Sequence, residues 1–230
     1  MFETFDADLA IFDHDGVLVD SLELHQLAWA ELGRRTGLAI TAEFIHETFG
    51  MTNFSIFRRL LGETLTDAEI SRLSDRKEEC YRDVARGRIH LMDGVREVLD
   101  ALTARGVRLA IGSSGVRANL ELTVHECGLD ARFAAIASLE DITRGKPDPQ
   151  VFLVAAAKAG VDPSRSVVFE DAPVGIQAAK AAGMYAVGLT TTRPAIDLVT
   201  AGADEVVANL VGYDVPRLLE RLRARAPGRG

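Results

Sequence analysis

Leu9-Ala10-Ile11-Phe12-Asp13-His14-Asp15-Gly16 is the stretch that decides the fold. Four apolar residues stop abruptly at an acidic turn closed by glycine. A short run with no polar alternation suits a strand covered on both faces, which is a parallel strand inside an α/β sheet. The same pattern recurs down the chain. Val107–Ile111 stops at Gly112-Ser113-Ser114-Gly115, and Val167-Val168-Phe169 stops at Glu170-Asp171. Tyr185–Leu189 stops at a threonine run, and Glu205-Val206-Val207 stops at Ala208-Asn209. Helical patterns lie between them over 95–102, 116–127, 149–159 and 173–182. Glycines 106, 128, 160 and 183 close them, and Pro173 takes a favoured first helical position.

This alternation predicts an α/β fold: a doubly wound, Rossmann-like parallel sheet with right-handed crossovers. Residues 20–88 read differently, as amphipathic helices without a strand. Candidates are Ser21–Arg35, Ala42–Thr48, Phe54–Leu61 and Thr66–Arg86, separated at Gly37, Gly50 and Gly62. Thr66-Asp67-Ala68-Glu69 has the spacing of a capping box. An inserted all-helical cap domain over 20–88 is expected, with 1–19 and 89–230 forming the α/β core. The arginine-rich end, Arg217–Gly230, reads as a solvated tail that frays over Ala226–Gly230.

Composition narrows the function. The 230 residues are 47% hydrophobic and carry 34 Asp+Glu against 26 Lys+Arg, a formal net charge of -8. That balance disfavours nucleic acid, since no excess cation exists to displace counterions. No apolar run reaches the roughly 18 residues of a membrane span. Cys80 and Cys127 form neither a disulfide framework nor a zinc spacing, and read as packed in helices. Met1-Phe2-Glu3-Thr4-Phe5-Asp6 is acidic where a signal peptide is basic. A cytoplasmic protein without membrane partners, a monomer or weak homodimer, is expected.

Ligands of open α/β sheets bind beyond the carboxyl ends of the strands. Those ends carry Asp13 and Asp15, then Ser113, then Glu170 and Asp171, with Lys146 in the loop Arg144-Gly145-Lys146-Pro147-Asp148-Pro149. Taken singly, each acid pair reads as a turn or a helix cap. Together they are hard oxygen ligands that repel one another without a cation, and they suit Mg²⁺ bound with a substrate phosphate. A carboxylate beside Mg²⁺ can attack phosphorus, and Asp15 can supply and remove protons. Lys146 neutralises charge on nucleophile and phosphoryl group. The Ser113 hydroxyl and the N–H groups of Ser114 and Gly115 hold phosphate oxygens.

Phe12-Asp13-His14-Asp15-Gly16-Val17-Leu18-Val19-Asp20-Ser21 resembles the first motif of the haloacid dehalogenase superfamily. Ser113 matches the second motif. Lys146-Pro147-Asp148-Pro149 with Phe152 matches the third, and Glu170-Asp171-Ala172-Pro173 with Ala182-Gly183-Met184 the fourth. The resemblance implies Mg²⁺ and an aspartyl-phosphate intermediate. It makes Asp13 the nucleophile and a metal ligand, and Asp15 the general acid/base and a metal ligand through its backbone carbonyl. Asp171 becomes a metal ligand, Glu170 a direct or water-mediated one, and Gly16 part of the substrate site.

Carbon–halogen-cleaving members lack the second aspartate, so Asp15 disfavours that chemistry. Phosphonate-cleaving members need a lysine early in the cap, and residues 20–60 contain none. The segment from Asp20 to His25, followed by Ala28-Trp29, is similar to the β-phosphoglucomutase and sugar-phosphatase branch, as are Lys77 and Tyr81. That likeness makes His25, Trp29, Lys77 and the aligned Asn53 substrate-binding residues. Asn53 stands where the mutases carry an arginine for a second phosphate, and losing that guanidinium weakens recognition of a bisphosphate. Arg58 and Arg59 read as lying on a solvated helix face. The expected activity is a Mg²⁺-dependent phosphatase of a small phosphorylated sugar or sugar-like metabolite, with a phosphosugar mutase as the alternative. A receiver-type signalling domain is too short and lacks the cap, and a catalytically dead binding module would not keep every side chain. His14 is assigned to packing, because strand alternation points it away from Asp13 and Asp15. His46, His90 and His125 are assigned to surface or core.

Overall fold

The computed structural model of the chain describes residues 8–48 and 51–225. The acidic start Met1–Asp6, the break at Gly50 and the end Ala226–Gly230 lie outside the described residues. The chain divides into two compact units, Met1–Asp20 with His90–Gly230, and Ser21–Ile89.

Six parallel strands form the sheet of the first unit among the described residues: β1 (Leu9–Phe12), β2 (Arg108–Gly112), β3 (Ala135–Ala137), β4 (Ser166–Glu170), β5 (Tyr185–Leu189) and β6 (Glu205–Val207). Their order is β3-β2-β1-β4-β5-β6, and every pairing is parallel. The chain builds outward from β1 in one direction and then restarts at β4 in the other. The β1/β4 boundary is therefore the switch point at which doubly wound sheets open a ligand crevice. β1 is buried at all four positions, which explains its unbroken apolar run.

The helices of this unit are α5 (Val95–Thr103), α6 (Arg117–Glu126), α7 (Gln150–Ala159), α8 (Pro173–Ala181), α9 (Ala195–Thr200) and α10 (Val215–Arg225). One face of the sheet buries Leu9, Ile11, Ala110 and Val168 against Val151, Phe152, Ala155 and Ile176 of α7 and α8. The alternate residues of β1 and β4 include Phe12 and Phe169, whose rings stack at 4.7 Å.

The second unit holds α1 (Leu22–Thr36), α2 (Ala42–Thr48), α3 (Asn53–Leu61) and α4 (Asp67–Ala85). Its buried residues Leu24, Ala28, Trp29, Leu32, Ile56, Phe57, Ile70 and Tyr81 form the interior of a small helical bundle. The Thr66/Glu69 capping box starts α4. Arg58 donates to Leu65 O and pairs with Asp67, while Arg59 pairs with Glu47.

Three elements depart from the sequence expectations. β3 was not expected: it is three residues long and two of them are alanine, so no β-branched run announces it. α9 was also missed; at six residues it is too short to show a period. The expected solvated tail from Arg217 is a docked helix, α10, as far as Arg225. Val215, Leu218, Leu219 and Leu222 are buried along one stripe. Three of its four arginines are paired, Arg221 with Glu205, Arg223 with Asp8 and Arg225 with Asp204. The apolar spacing was legible but was masked by the arginines between.

Docking of α10 is testable. Leu219→Ala is expected to destabilise the protein by about 2–5 kcal/mol, as for a buried leucine truncated to a cavity. Arg223→Ala, whose side chain is 62% exposed, should stay within about 1 kcal/mol. Urea unfolding of both variants checks this, and equal small losses would show α10 to be peripheral.

Candidate active site

Parallel register assembles the site. Phe12 pairs with Ile111 on one side and with Phe169 on the other. The residues that follow, Asp13, then Gly112-Ser113, then Glu170-Asp171, therefore leave the sheet at the same end. The Asp13 N–H donates to Phe169 O at 3.0 Å, which extends the ladder one residue past β1. Ser113 N–H does the same toward Ala137 O at 3.1 Å.

Asp13, Glu170 and Asp171 each present a carboxylate oxygen, all within 4.8 Å of one another. Lys146 lies against this cluster, with Nζ 2.6 Å from Glu170 Oε1 and 3.1 Å from Asp13 Oδ1. The contact to Asp13 is an ion pair off hydrogen-bond geometry, and Asp13 Oδ1 is buried without a hydrogen-bond donor. Glu170 is fully engaged: Oε1 takes the lysine, and Oε2 accepts the Ala172 N–H at 2.7 Å. Asp171 Oδ2 accepts the Thr192 hydroxyl.

Glycine makes this crowding possible. Gly16 has φ +73, and a Cβ there would fall on the Asp171 carboxylate. Its N–H donates to Val19 O at 2.8 Å, and its carbonyl accepts the Thr191 hydroxyl at 2.6 Å. Gly175 gives α8 the same clearance beside Glu170.

Crowding shows in the proton affinities. Burial, reinforced by Asp13, pushes the Asp171 carboxyl up to about 6. Burial also raises Glu170 against the pull of Lys146, with Asp13 and Asp171 adding to the rise. Burial disfavours the Lys146 ammonium, but Asp13 and Glu170 outweigh it and hold its pKa above the usual lysine value. A buried acceptor without a donor, among carboxylates whose proton affinities are raised, is a donor set that a hard cation would relieve. Asp13, Glu170 and Asp171 fit such an ion.

The Asp15 carboxylate stands apart from this trio, held by His14. His14 Nδ1 lies 3.0 Å from Asp15 Oδ1, and Nε2 lies 2.7 Å from Thr123 Oγ1 on α6. The assignment of His14 to simple packing is thus corrected. β1 ends at Phe12, so strand alternation no longer governs the next residues. Burial disfavours the charged imidazole, yet Asp15, with Asp13 behind it, holds its pKa above the ordinary value.

Ser113 is buried, and its Oγ accepts the Gly115 N–H at 3.0 Å. The helix begins only at Arg117, so Ser114 and Gly115 lie in the loop before α6. Thr191 and Thr192 were missed as site residues, although the threonine run after β5 was the available signal.

Within the helical unit, Lys77 Nζ lies 2.7 Å from His25 Nδ1 and 2.9 Å from Glu78 Oε1. It sits over the rings of Trp29 and Tyr81, and Asn53 Nδ2 donates to Glu78 Oε1 at 2.6 Å. His25, Trp29, Asn53 and Lys77 are thus brought into one network, with Glu78 as a member that the sequence did not single out. Burial works against the Glu78 carboxylate, but Lys77, His25 and Asn53 hold its pKa below the usual value.

Residues 10–189 match a family model described as haloacid dehalogenase-like hydrolase. The chain is 33% identical over 217 residues to validoxylamine A 7'-phosphate phosphatase of Streptomyces hygroscopicus subsp. limoneus, a match covering 91% of this chain and 97% of the relative. It is 31% identical over 204 residues to β-phosphoglucomutase of Bacillus subtilis (strain 168), covering 86% of this chain and 87% of that one. The crystal structure of β-phosphoglucomutase (pgmB) from Clostridium difficile matches with a TM-score of 0.78 over 95% of this chain and 98% of that chain; at 23% identity this likeness concerns the fold.

The raised Asp171 predicts a pH dependence of stability. Folding takes up a proton between the ordinary value of 3.8 and about 6, so stability falls as pH rises through that window. Glu78 and Asp141, held low by their partners, act in the opposite sense. In EDTA, the melting temperature of Asp171→Asn relative to the parent is expected to rise from about pH 4 to about pH 7. Parallel curves for the two proteins would show that Asp171 is not the group responsible.

Proposed function

The chain belongs to the haloacid dehalogenase-like hydrolase family, and from that premise we propose a Mg²⁺-dependent phosphatase acting on a small phosphorylated sugar or sugar-like metabolite. The observation that carries this is Asp13: a carboxylate at the switch point, with its Oδ1 lacking a donor and Lys146 Nζ 3.1 Å away.

Asp13 is the nucleophile. One of its carboxylate oxygens attacks phosphorus while the ester P–O bond breaks, giving an acyl phosphate on Asp13 and an alcohol. Asp15 protonates the departing oxygen, then takes a proton from the water that hydrolyses the acyl phosphate. Lys146 pairs with Asp13 and neutralises charge on the phosphoryl oxygens. The Ser113 hydroxyl, the Ser114 N–H and the loop at Gly16 hold those oxygens. Asp13 and Asp171, with the Asp15 backbone carbonyl, would ligate Mg²⁺. Glu170, engaged by Lys146 and Ala172, would act through water. The ion supplies charge neutralisation, so that an anionic nucleophile can approach an anionic ester.

The helical unit, read as the cap, contributes selection through His25, Trp29, Asn53 and Lys77. Where mutases carry arginine, Asn53 is bonded to an ionised Glu78. A carboxylate there repels a second phosphate, which favours hydrolysis over phosphosugar mutation.

Phosphate release from a panel of hexose, pentose and alditol phosphates, with Mg²⁺ or with EDTA, tests the proposal. Release in Mg²⁺ and its loss in EDTA are expected. Conversion of β-glucose 1-phosphate to glucose 6-phosphate in the presence of a bisphosphate primer would instead establish the mutase. Asp13→Asn is expected to lower kcat by at least about 100-fold with the melting temperature kept, because the amide cannot attack. Retained turnover would remove Asp13 as nucleophile.

A further inference from the structure

His14 and Thr123 form a positioning arm for the general acid. We propose that Thr123 orients His14, and that His14 in turn fixes the Asp15 carboxylate for proton transfer to the leaving group. This rests on the phosphatase reading above.

The arm is built from residues 109 apart in sequence. The His14 carbonyl accepts the N–H groups of both Leu18 and Val19, at 3.0 and 3.2 Å, which fixes the backbone from which the ring projects. The ring is 2% exposed and Thr123 is fully buried. Both ring nitrogens are engaged, Nδ1 by Asp15 Oδ1 at 3.0 Å and Nε2 by Thr123 Oγ1 at 2.7 Å. A buried imidazole held at both ends has no freedom to rotate, so it transmits the position of α6 to the carboxylate. Structure alone would not call for imidazole here: an apolar side chain of similar volume would fill the space without burying two polar nitrogens.

The chemistry follows from which oxygen is held. When Nδ1–H donates to Asp15 Oδ1, that oxygen is an acceptor. The proton of a neutral Asp15 then sits on Oδ2. During attack by Asp13, the ester P–O bond breaks, its electron pair goes to the leaving oxygen, and the Oδ2 proton transfers to that oxygen. Asp15 is left as carboxylate, ready to take a proton from the hydrolytic water. Holding one oxygen sets the direction in which the other works. The logic is that of a base oriented by a third group in hydrolase triads. Misplacement of such a group by about 1 Å can cost about 100-fold in rate.

Leaving-group dependence separates this role from a structural one. p-Nitrophenol departs without help from an acid, whereas a sugar alkoxide requires a proton as it leaves. Thr123→Val keeps the buried shape and removes the hydroxyl. It is expected to lower kcat/KM by about tenfold on a sugar phosphate from the panel and by less than about threefold on p-nitrophenyl phosphate, a fraction of the roughly 100- to 10,000-fold that a whole general acid contributes. KM should be unchanged, and Thr123→Ser should restore the rate. His14→Leu should show the same selective loss, and His14→Asn, which keeps an N–H near the Nδ1 position, a smaller one. Should His14→Leu fail to fold, the threonine pair still decides the matter. Equal losses on both esters, or no loss on either, would overturn the positioning role while leaving the phosphatase intact. A parent protein that hydrolyses neither ester would bring down the phosphatase reading itself, and this role with it.

Discussion

Pairing Phe12 with Phe169 in adjacent parallel strands obliges Asp13 and Glu170 to leave the sheet side by side. Everything at the site follows from that register. A slip of one residue would turn Asp13 toward the opposite face of the sheet and separate the acids. Burial of β1 at every position and the Phe12–Phe169 stack hold the register. Core packing thus fixes, by way of strand alignment, the distance between carboxylates on which the chemistry depends.

Like charges so arranged are costly to bury. The chain meets that cost with specific partners rather than with solvent. Lys146 lies between Asp13 and Glu170, Thr192 caps Asp171, and the Ala172 N–H takes the second oxygen of Glu170. What remains is a set of acids whose proton affinities are raised and one buried oxygen without a donor. The residual strain is electrostatic, and it is of the kind that a divalent cation would relieve. Glu170 holds the lysine in place, while Asp13 Oδ1 keeps no donor, so two neighbouring acids are suited to different tasks because their partners differ.

The sheet and its acids were legible in the sequence because burial on both faces leaves unbroken apolar runs, and because the runs of β1 and β4 end in the acids that cluster. β1, β4 and β5 announced themselves that way. β3 did not, since an alanine edge strand has no such signature. α10 was hidden by arginines that solvent exposure explained too readily; their partners Asp8, Asp204 and Glu205 lie far off in sequence. The role of His14 was hidden for a related reason. Its partner Thr123 is reached only through the fold, and alternation along a strand fails once the ladder ends at Asp13. Glu78 was passed over because a glutamate on a helix ordinarily faces water, and only packing against Asn53 and Lys77 reveals it as buried.

The helical unit places an ion pair, Lys77 with Glu78, where few charges are tolerated. Such a pair is a weak source of stability, because desolvation offsets most of the attraction, and an apolar pair of equal volume would serve the bundle as well. Its presence fits the part in recognition proposed for this network. A lysine held over Trp29 and Tyr81 and bonded to His25 offers donors in fixed directions, and Glu78 with Asn53 offers acceptors beside them. Under the proposed function, such a frame would suit hydroxyl groups better than a second phosphate, which would meet the Glu78 charge.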